Sequence, residues 1–269
     1  MTRKVLVVLS GGQDSTTCLF WATHNFGKEN VYAITFDYGQ RHEIEIDSAG
    51  CVASMAGLPA DRWELIKVPD ILKSTSPLTS ANELDKYSSF EAMEEEVGSN
   101  VEKTFVPMRN SLFLTIAFNR AVALGCDVIV LGICEADNAN YPDCTELYRH
   151  RMQTALNQSL GFETTDPQAI AVMAPLMYMS KAESVKMAIT LPGCMEALAY
   201  SHTSYDGKYP PTDNNHANIL RAKGFELAGV PDPLVVRAWK EGLMALPLTA
   251  NYDVLREVPA NGDQEASEA

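Results

Sequence analysis

The stretch SGGQDST, Ser10 to Thr16, sets two glycines ahead of an acid and two hydroxyls, directly behind the apolar run VLVVL. Gly11 and Gly12 let the backbone turn tightly and come close to a ligand, and successive N–H groups at the head of a helix form a nest for an anion. Phosphate is the natural occupant. The loop lacks the Gly-Lys-Ser/Thr ending of kinase and GTPase loops. In this reading Leu9, Ser10, Gly11, Gly12, Gln13, Ser15 and Thr16 hold the phosphates of a ligand, with Phe36 beside it. Asp14 cannot usefully face phosphate alone, so it is assigned to magnesium, which suits carboxylate oxygen. The alternative makes Asp14 and Ser15 merely the cap and first turn of a helix. Capping alone does not call for two preceding glycines.

Three further polar clusters fall where strand ends and helix starts converge. FDYGQRH (Phe36 to His42) follows a second apolar run, FVPMRNSLFL (Phe105 to Leu114) opens a helix-period segment, and GICEADNANYPDC (Gly132 to Cys144) follows another apolar run. They supply Tyr38, Gln40, Arg41, His42, Arg109, Asn110, Glu135, Asp137, Tyr141 and Asp143. One such cluster is ordinary capping; three at one edge of a sheet mark a site. Arg109 stands at a helix start, where the dipole disfavours a cation, which points to a ligand role. Lys181 opens a helix too, with a solvated surface lysine as the alternative. His42 is either a general base near neutral pH or a structural histidine. Cys134 and Cys144 flank the acidic cluster and are read as packing residues.

The elements that position these groups follow from hydrophobic period. Val5 to Leu9, Val31 to Phe36, Trp63 to Val68 and Val128 to Leu131 read as buried parallel strands. Ser15 to His24, Glu43 to Ala56 and Asn110 to Leu124 read as helices, the last apolar on nearly every side and expected to be buried. That βαβ rhythm predicts an α/β fold with a doubly wound parallel sheet, with ligands beyond the carboxyl ends of its strands. The expected organisation is one α/β domain over 1–200, a C-terminal lobe over 201–256 and a disordered acidic tail over 257–269. The acidic segment 74–102 is too long for an ordinary connection and reads as a mobile lid or a solvated insertion.

Composition narrows the partners. With 269 residues, 46% of them hydrophobic, the chain can bury one large core. A net charge of -14 with no basic run argues against nucleic acid. Six scattered cysteines without a CxxC pair suggest reduced thiols, and no apolar stretch suits a membrane span or signal peptide, so a cytoplasmic protein is expected.

The phosphate loop resembles the PP-loop of ATP pyrophosphatases, which cleave ATP to AMP and pyrophosphate while adenylating a substrate. With the other clusters, PLMYMSKAE (Pro175 to Glu183) and LRAKGFELAGVPDP (Leu220 to Pro233), the chain resembles the 7-cyano-7-deazaguanine synthase (QueC) family from Val5 to about Pro233. The resemblance implies a ligase with an adenine nucleotide alpha hydrolase type of fold. It implies conversion of 7-carboxy-7-deazaguanine and ammonia to the 7-cyano product at the expense of ATP, with magnesium, in a homodimer of the queuosine pathway. Asp14, Arg109, Lys181 and His42 are then the candidate catalytic groups. Tyr38, Gln40, Arg41, Asn110, Glu135, Asp137, Tyr141 and Asp143 are candidate readers of the base. A relative that stops at the amide or uses another acceptor, and a nucleotide-binding pseudoenzyme, are the alternatives.

Family members carry a zinc knuckle near the C-terminus. Here TSYDGKYPPTDNNHANILRAKGF puts Ser204, Thr212, Asn215 and Asn218 at its four cysteine positions, and none is a thiolate donor. Zinc is therefore expected to be absent, the loop being held by Asx-turns, Pro210 and Pro211, and side-chain bonds to backbone. The competing possibility is a rearranged site drawing on Cys194, His202 or His216, with Asp206 and Asp213 as oxygen donors.

Overall fold

Every residue of β1 (Val5–Val8) is hydrophobic because both of its faces are covered. Alternate side chains point to opposite sides, so Val5 and Val7 enter one core and Leu6 another. The computed structural model describes residues 3–40, 44–68, 71–80, 82–135, 140–163 and 165–256. β1 pairs in parallel with β2 (Val31–Asp37) on one side and β4 (Val128–Val130) on the other. The sheet continues to β3 (Trp63–Lys67) and β5 (Ala171–Met173), giving the parallel order β3-β2-β1-β4-β5. β5 has no counterpart in the sequence reading, since three residues are too few to show a period.

The Val5 face is covered by α1 (Gln13–Phe26), α2 (Ile44–Met55), α6 (Lys181–Thr190) and α7 (Cys194–Leu198). α4 (Arg109–Leu124) and α5 (Glu146–Ser159) cover the Leu6 face. The expectation that α4 is buried all round needs correction. Its core contacts run along Leu114, Ala117, Phe118 and Ala121, while Val122 is 53% exposed. Those four positions share one helical stripe, and α4 belongs to an outer layer with only the sheet beneath it.

Residues 74–102 carry α3 (Phe90–Val97), capped by Ser89 Oγ, which accepts from Ala92 N. Tyr87, Met93 and Val97 form a small separate core with Phe90 and with Ile219 of α8 (His216–Ala228). Lys86 pairs with Asp213 at 3.1 Å, and Tyr87 N donates to Asn214 O at 2.9 Å. Asn140 Nδ2 donates to the Gly98 and Asn100 carbonyls at 3.0 and 2.9 Å. The insertion therefore joins the loop before α8 to the loop after β4.

α8 sends Phe225 into the Val5 core, and Arg221 one turn earlier pairs with Asp232 at the start of α9 (Pro233–Lys240). No helix among the described residues is long and apolar enough to cross a membrane. The tail 257–269 lies outside the described residues.

Candidate active site

β1 and β4 are neighbours whose chains leave the sheet in opposite directions, so a crevice opens beyond their carboxyl ends, the general ligand position in such folds. Ser10 to Ser15 leaves β1 there, and Leu131 to Glu135 leaves β4. Gly11 has φ +86°, and a Cβ on it would stand 2.4 Å from Glu45 O, so only glycine permits the loop to lie this close to α2. Gly132 is similarly constrained, because an added Cβ would lie 2.9 Å from Ser15 N.

Within the loop Ser15 Oγ and Ser10 Oγ are 3.0 Å apart, Ser10 N donates to Ser15 Oγ at 3.1 Å and Gly12 N to Ser10 Oγ at 3.3 Å. Gly12 is the N-cap of α1 and no side chain caps the helix, so its positive end faces the crevice. Gln13 lines the crevice, is 3% exposed, and has no hydrogen-bond partner for either side-chain amide atom among the described residues. A buried amide in that condition costs stability unless a ligand satisfies it, so the loop suits a polar, hydrogen-bonding ligand in the crevice.

The crevice is a cavity of about 580 Å³, within the range of small-molecule sites. Of the residues singled out from sequence, Leu9, Ser10, Gly12, Gln13, Asp14, Ser15, Phe36, Tyr38, Gln40, Arg109, Asn110, Glu135, Tyr141 and Lys181 line it. Gly11, Thr16 and Asp143 stand behind the wall; Arg41, His42 and Asp137 lie outside the described residues. Asp143 is buried, and desolvation raises its pKa despite the opposing influence of Arg109.

Several candidate base readers already have structural partners. Gln40 Oε1 accepts from Tyr38 N at 2.9 Å while its Nε2 donates to Phe36 O at 3.2 Å, so the side chain braces its own loop. Glu135 Oε2 accepts from Glu146 N at 3.1 Å, at the head of α5. Asn110 Nδ2 donates to Asp143 O at 3.3 Å.

One wall is aromatic. Phe36 and Phe113 stack with centroids 4.1 Å apart and planes within 5°, and Tyr38 tilts against Phe113 at 5.3 Å. Tyr141 hydrogen-bonds Thr104 Oγ1 and packs on Phe105 at 5.6 Å. Arg109 meets the Tyr38 hydroxyl. At the phosphate end, Lys181 Nζ donates to Asp14 Oδ2 at 2.6 Å. Gly224 of α8 holds the lysine stem in place, since a Cβ there would stand 2.8 Å from Lys181 Cβ.

Glu45, Phe113, Thr145, Thr203 and Tyr205 are among the wall groups that the sequence reading missed; it treated His202 and His216 only as possible metal ligands and Cys134 and Cys144, which also line the cavity, as packing residues. Desolvation is the chief cause that lifts the Glu45 carboxyl to about 7, against the opposing pull of Arg109. Burial likewise raises Tyr205 to about 12. No local pattern in the sequence marks these residues; α2 and the 202–205 segment are carried to the cavity by long-range packing.

The family described as "Queuosine biosynthesis protein QueC" matches residues 4–229. A 7-cyano-7-deazaguanine synthase from Gloeobacter violaceus is 45% identical over 240 residues, covering 88% of this chain and 96% of that protein. Proteins of the same description from Chromobacterium violaceum and Laribacter hongkongensis are 44% identical over 246 residues and 43% over 239 residues. These alignments cover 89% and 87% of this chain and 96% and 95% of those proteins. Among solved structures, an NH3-dependent NAD synthetase from Campylobacter jejuni aligns at TM-score 0.40 and 13% identity over 95% of this chain and 83% of that one, too slight a likeness to bear on function. By the extent of the family match and the identity to these relatives, the chain belongs to the QueC family of queuosine biosynthesis proteins.

Proposed function

We propose that this chain is the ATP-dependent ligase that turns 7-carboxy-7-deazaguanine and ammonia into 7-cyano-7-deazaguanine. The observation that carries the reading is a single cavity with a phosphate loop at one end and an aromatic wall at the other, and with Arg109 and Lys181 both on its surface. A carboxylate is a poor electrophile. Its oxygen attacks the α-phosphorus of ATP and pyrophosphate leaves; ammonia attacks the acyl carbon, AMP leaves, and a proton is lost. The amide oxygen is adenylated by a second ATP in the same way, and loss of the N–H protons with departure of AMP gives the nitrile.

The side chains divide the work. The first-turn amides of α1 and the hydroxyls of Ser10 and Ser15 receive the leaving pyrophosphate. Lys181 and Arg109 offset charge that grows on the α-phosphate in the transition state. Phe36, Phe113 and Tyr38 offer faces for flat rings, with Asn110 and Tyr141 at the edge. Asp14 is a hard oxygen donor beside the phosphate loop and fits magnesium, an ion that takes one or two carboxylates together with phosphate oxygens and neutralises phosphate charge. A homodimer, the assembly implied by the resemblance, belongs to the same reading; sedimentation at about twice the 29.5 kDa chain mass checks it.

The test is incubation with ATP, magnesium, ammonia and the 7-carboxy compound, with product mass as the readout. The nitrile with AMP is expected. Amide alone would mean that the second adenylation is missing, and no AMP with any substrate would reduce the protein to a nucleotide binder.

A further inference from the structure

We propose that the Ser204 hydroxyl is a metal-free cross-link that positions the 202–205 wall of the cavity, where the family resemblance implies zinc. Ser204 is 1% exposed. Its Oγ donates to Asp206 Oδ1 at 2.6 Å and accepts from Asn215 Nδ2 at 3.1 Å and from Asn218 Nδ2 at 2.8 Å. A hydroxyl has one proton and two lone pairs, and these three bonds use all of them.

The residues do not fit zinc. Of the four knuckle positions, Ser204, Asn215 and Asn218 meet at this node while Thr212 is exposed. The two asparagines turn N–H protons toward the centre, where a cation requires lone pairs. Structural zinc takes four ligands, normally Cys or His, and among the described residues no group of three or more His, Cys, Asp or Glu could hold a metal ion.

The node reaches the site through short steps. Asn215 Oδ1 also caps α8 by accepting from Asn218 N at 3.1 Å, and Asn218 Nδ2 also donates to Asp213 O at 2.8 Å. On the other side the His202 ring lies 2.7 Å from Ser204 O, and His202 N donates to Gly11 O at 2.9 Å. Ser204 thus ties the first turn of α8 to the phosphate loop, and its neighbour Tyr205 lines the cavity. Ser204 does not itself line the cavity and is a positioning residue.

Zinc content and thermal stability of the purified protein, with and without a zinc chelator, test the metal-free character. Well under one zinc per chain and an unchanged Tm are expected. Hydrogen exchange tests the linkage. In Ser204→Ala, amides at 202–206 and 11–13 should exchange faster than in the parent while those of β1 and β4 do not. The kinetic arm rests on the proposed ligase activity: KM for the deazaguanine should rise about tenfold with kcat little changed, since the cavity wall shifts while the reacting groups remain. Asn218→Asp removes, at equal size, the amide group that donates to both Ser204 Oγ and Asp213 O, and reports the same effects if the alanine variant does not fold. A zinc per chain whose removal lowers Tm, or native exchange rates at 11–13 and 202–206 in the variants, would overturn the proposal. Absence of ligase activity would overturn the functional reading alone, since metal content and exchange do not depend on it.

Discussion

Lys181 Nζ stands 2.6 Å from Asp14 Oδ2, which joins the first residue of α6 to the second residue of α1 across the phosphate loop. Asp14 is well placed in the field of its helix and Lys181 badly placed in its own, so the carboxylate compensates a cation that the local backbone disfavours. Asp14→Asn and Lys181→Met should each lower AMP release by about a hundredfold or more, the scale set by losing one preorganised charge at a reacting centre. The double variant should recover Tm relative to the single ones without recovering turnover. Native AMP release in Asp14→Asn would remove the carboxylate from the chemistry.

Gln13 gives a prediction with opposite signs for stability and binding. Leucine at this position removes two buried amide atoms that lack partners among the described residues. The ligand-free protein should gain about 1 kcal/mol, while nucleotide affinity falls about tenfold through the lost hydrogen bonds. Thermal melts with and without a nonhydrolysable ATP analogue separate the two effects. Equal losses in both conditions would make Gln13 a packing residue.

Glu45 should leave a mark on the pH profile of stability. Its folded pKa of about 7 lies above the ordinary carboxyl value, so the folded chain holds the proton more tightly than the unfolded chain. The protonated form's contribution is fully present below the unfolded pKa, declines as pH rises, and is lost once pH passes the folded value. Glu45→Gln stays neutral throughout. Its free-energy advantage over the parent, from urea melts, should therefore grow between pH 5 and 8, levelling off above the folded value at about 1 to 2 kcal/mol because the carboxyl is only half-buried beside the cavity. A constant difference across that window would contradict the assignment.

Arg221 and Asp232 form a bidentate pair at 2.6 and 2.8 Å, each side chain 3% exposed. The same guanidinium donates to Ser201 Oγ, Thr203 Oγ1 and Leu198 O, so it fastens the segment that leads into the cavity wall. Arg221→Met leaves a buried carboxylate unpaired and should cost about 3 to 5 kcal/mol. Arg221→Met with Asp232→Leu should cost less than either change alone, apart from the loss of the α9 cap. Urea midpoints of the three variants measure this directly.

The phosphate loop was legible because Gly11 needs a positive φ and a bare Cα against Glu45 O, while Gly132, leaving β4, needs a bare Cα against the loop at Ser15. Strands buried on both faces announced themselves as Val-rich runs, and β5 escaped for want of length. The site was harder to read where one residue serves two purposes. Gln40 looked like a base reader from its neighbourhood, yet both ends of its amide bond to the backbone of its own loop. Glu45 and Tyr205 gave no sign because their chemistry comes from what is folded against them, a property that spacing along the chain does not encode. The turn at 203–218 shows in sequence only a knuckle without its metal ligands, whereas in space Thr203 and Tyr205 border the same chamber as Asp14 and Arg109.

The insertion that holds Asn140 at one end and Asp213 and Asn214 at the other behaves as a spacer of set length. Its acidic sequence is free to vary wherever it faces water, but adding or removing residues between 86 and 100 would move two borders of the chamber together. What is constrained there is a span, and one border of the chamber is a single body assembled from three distant parts of the chain.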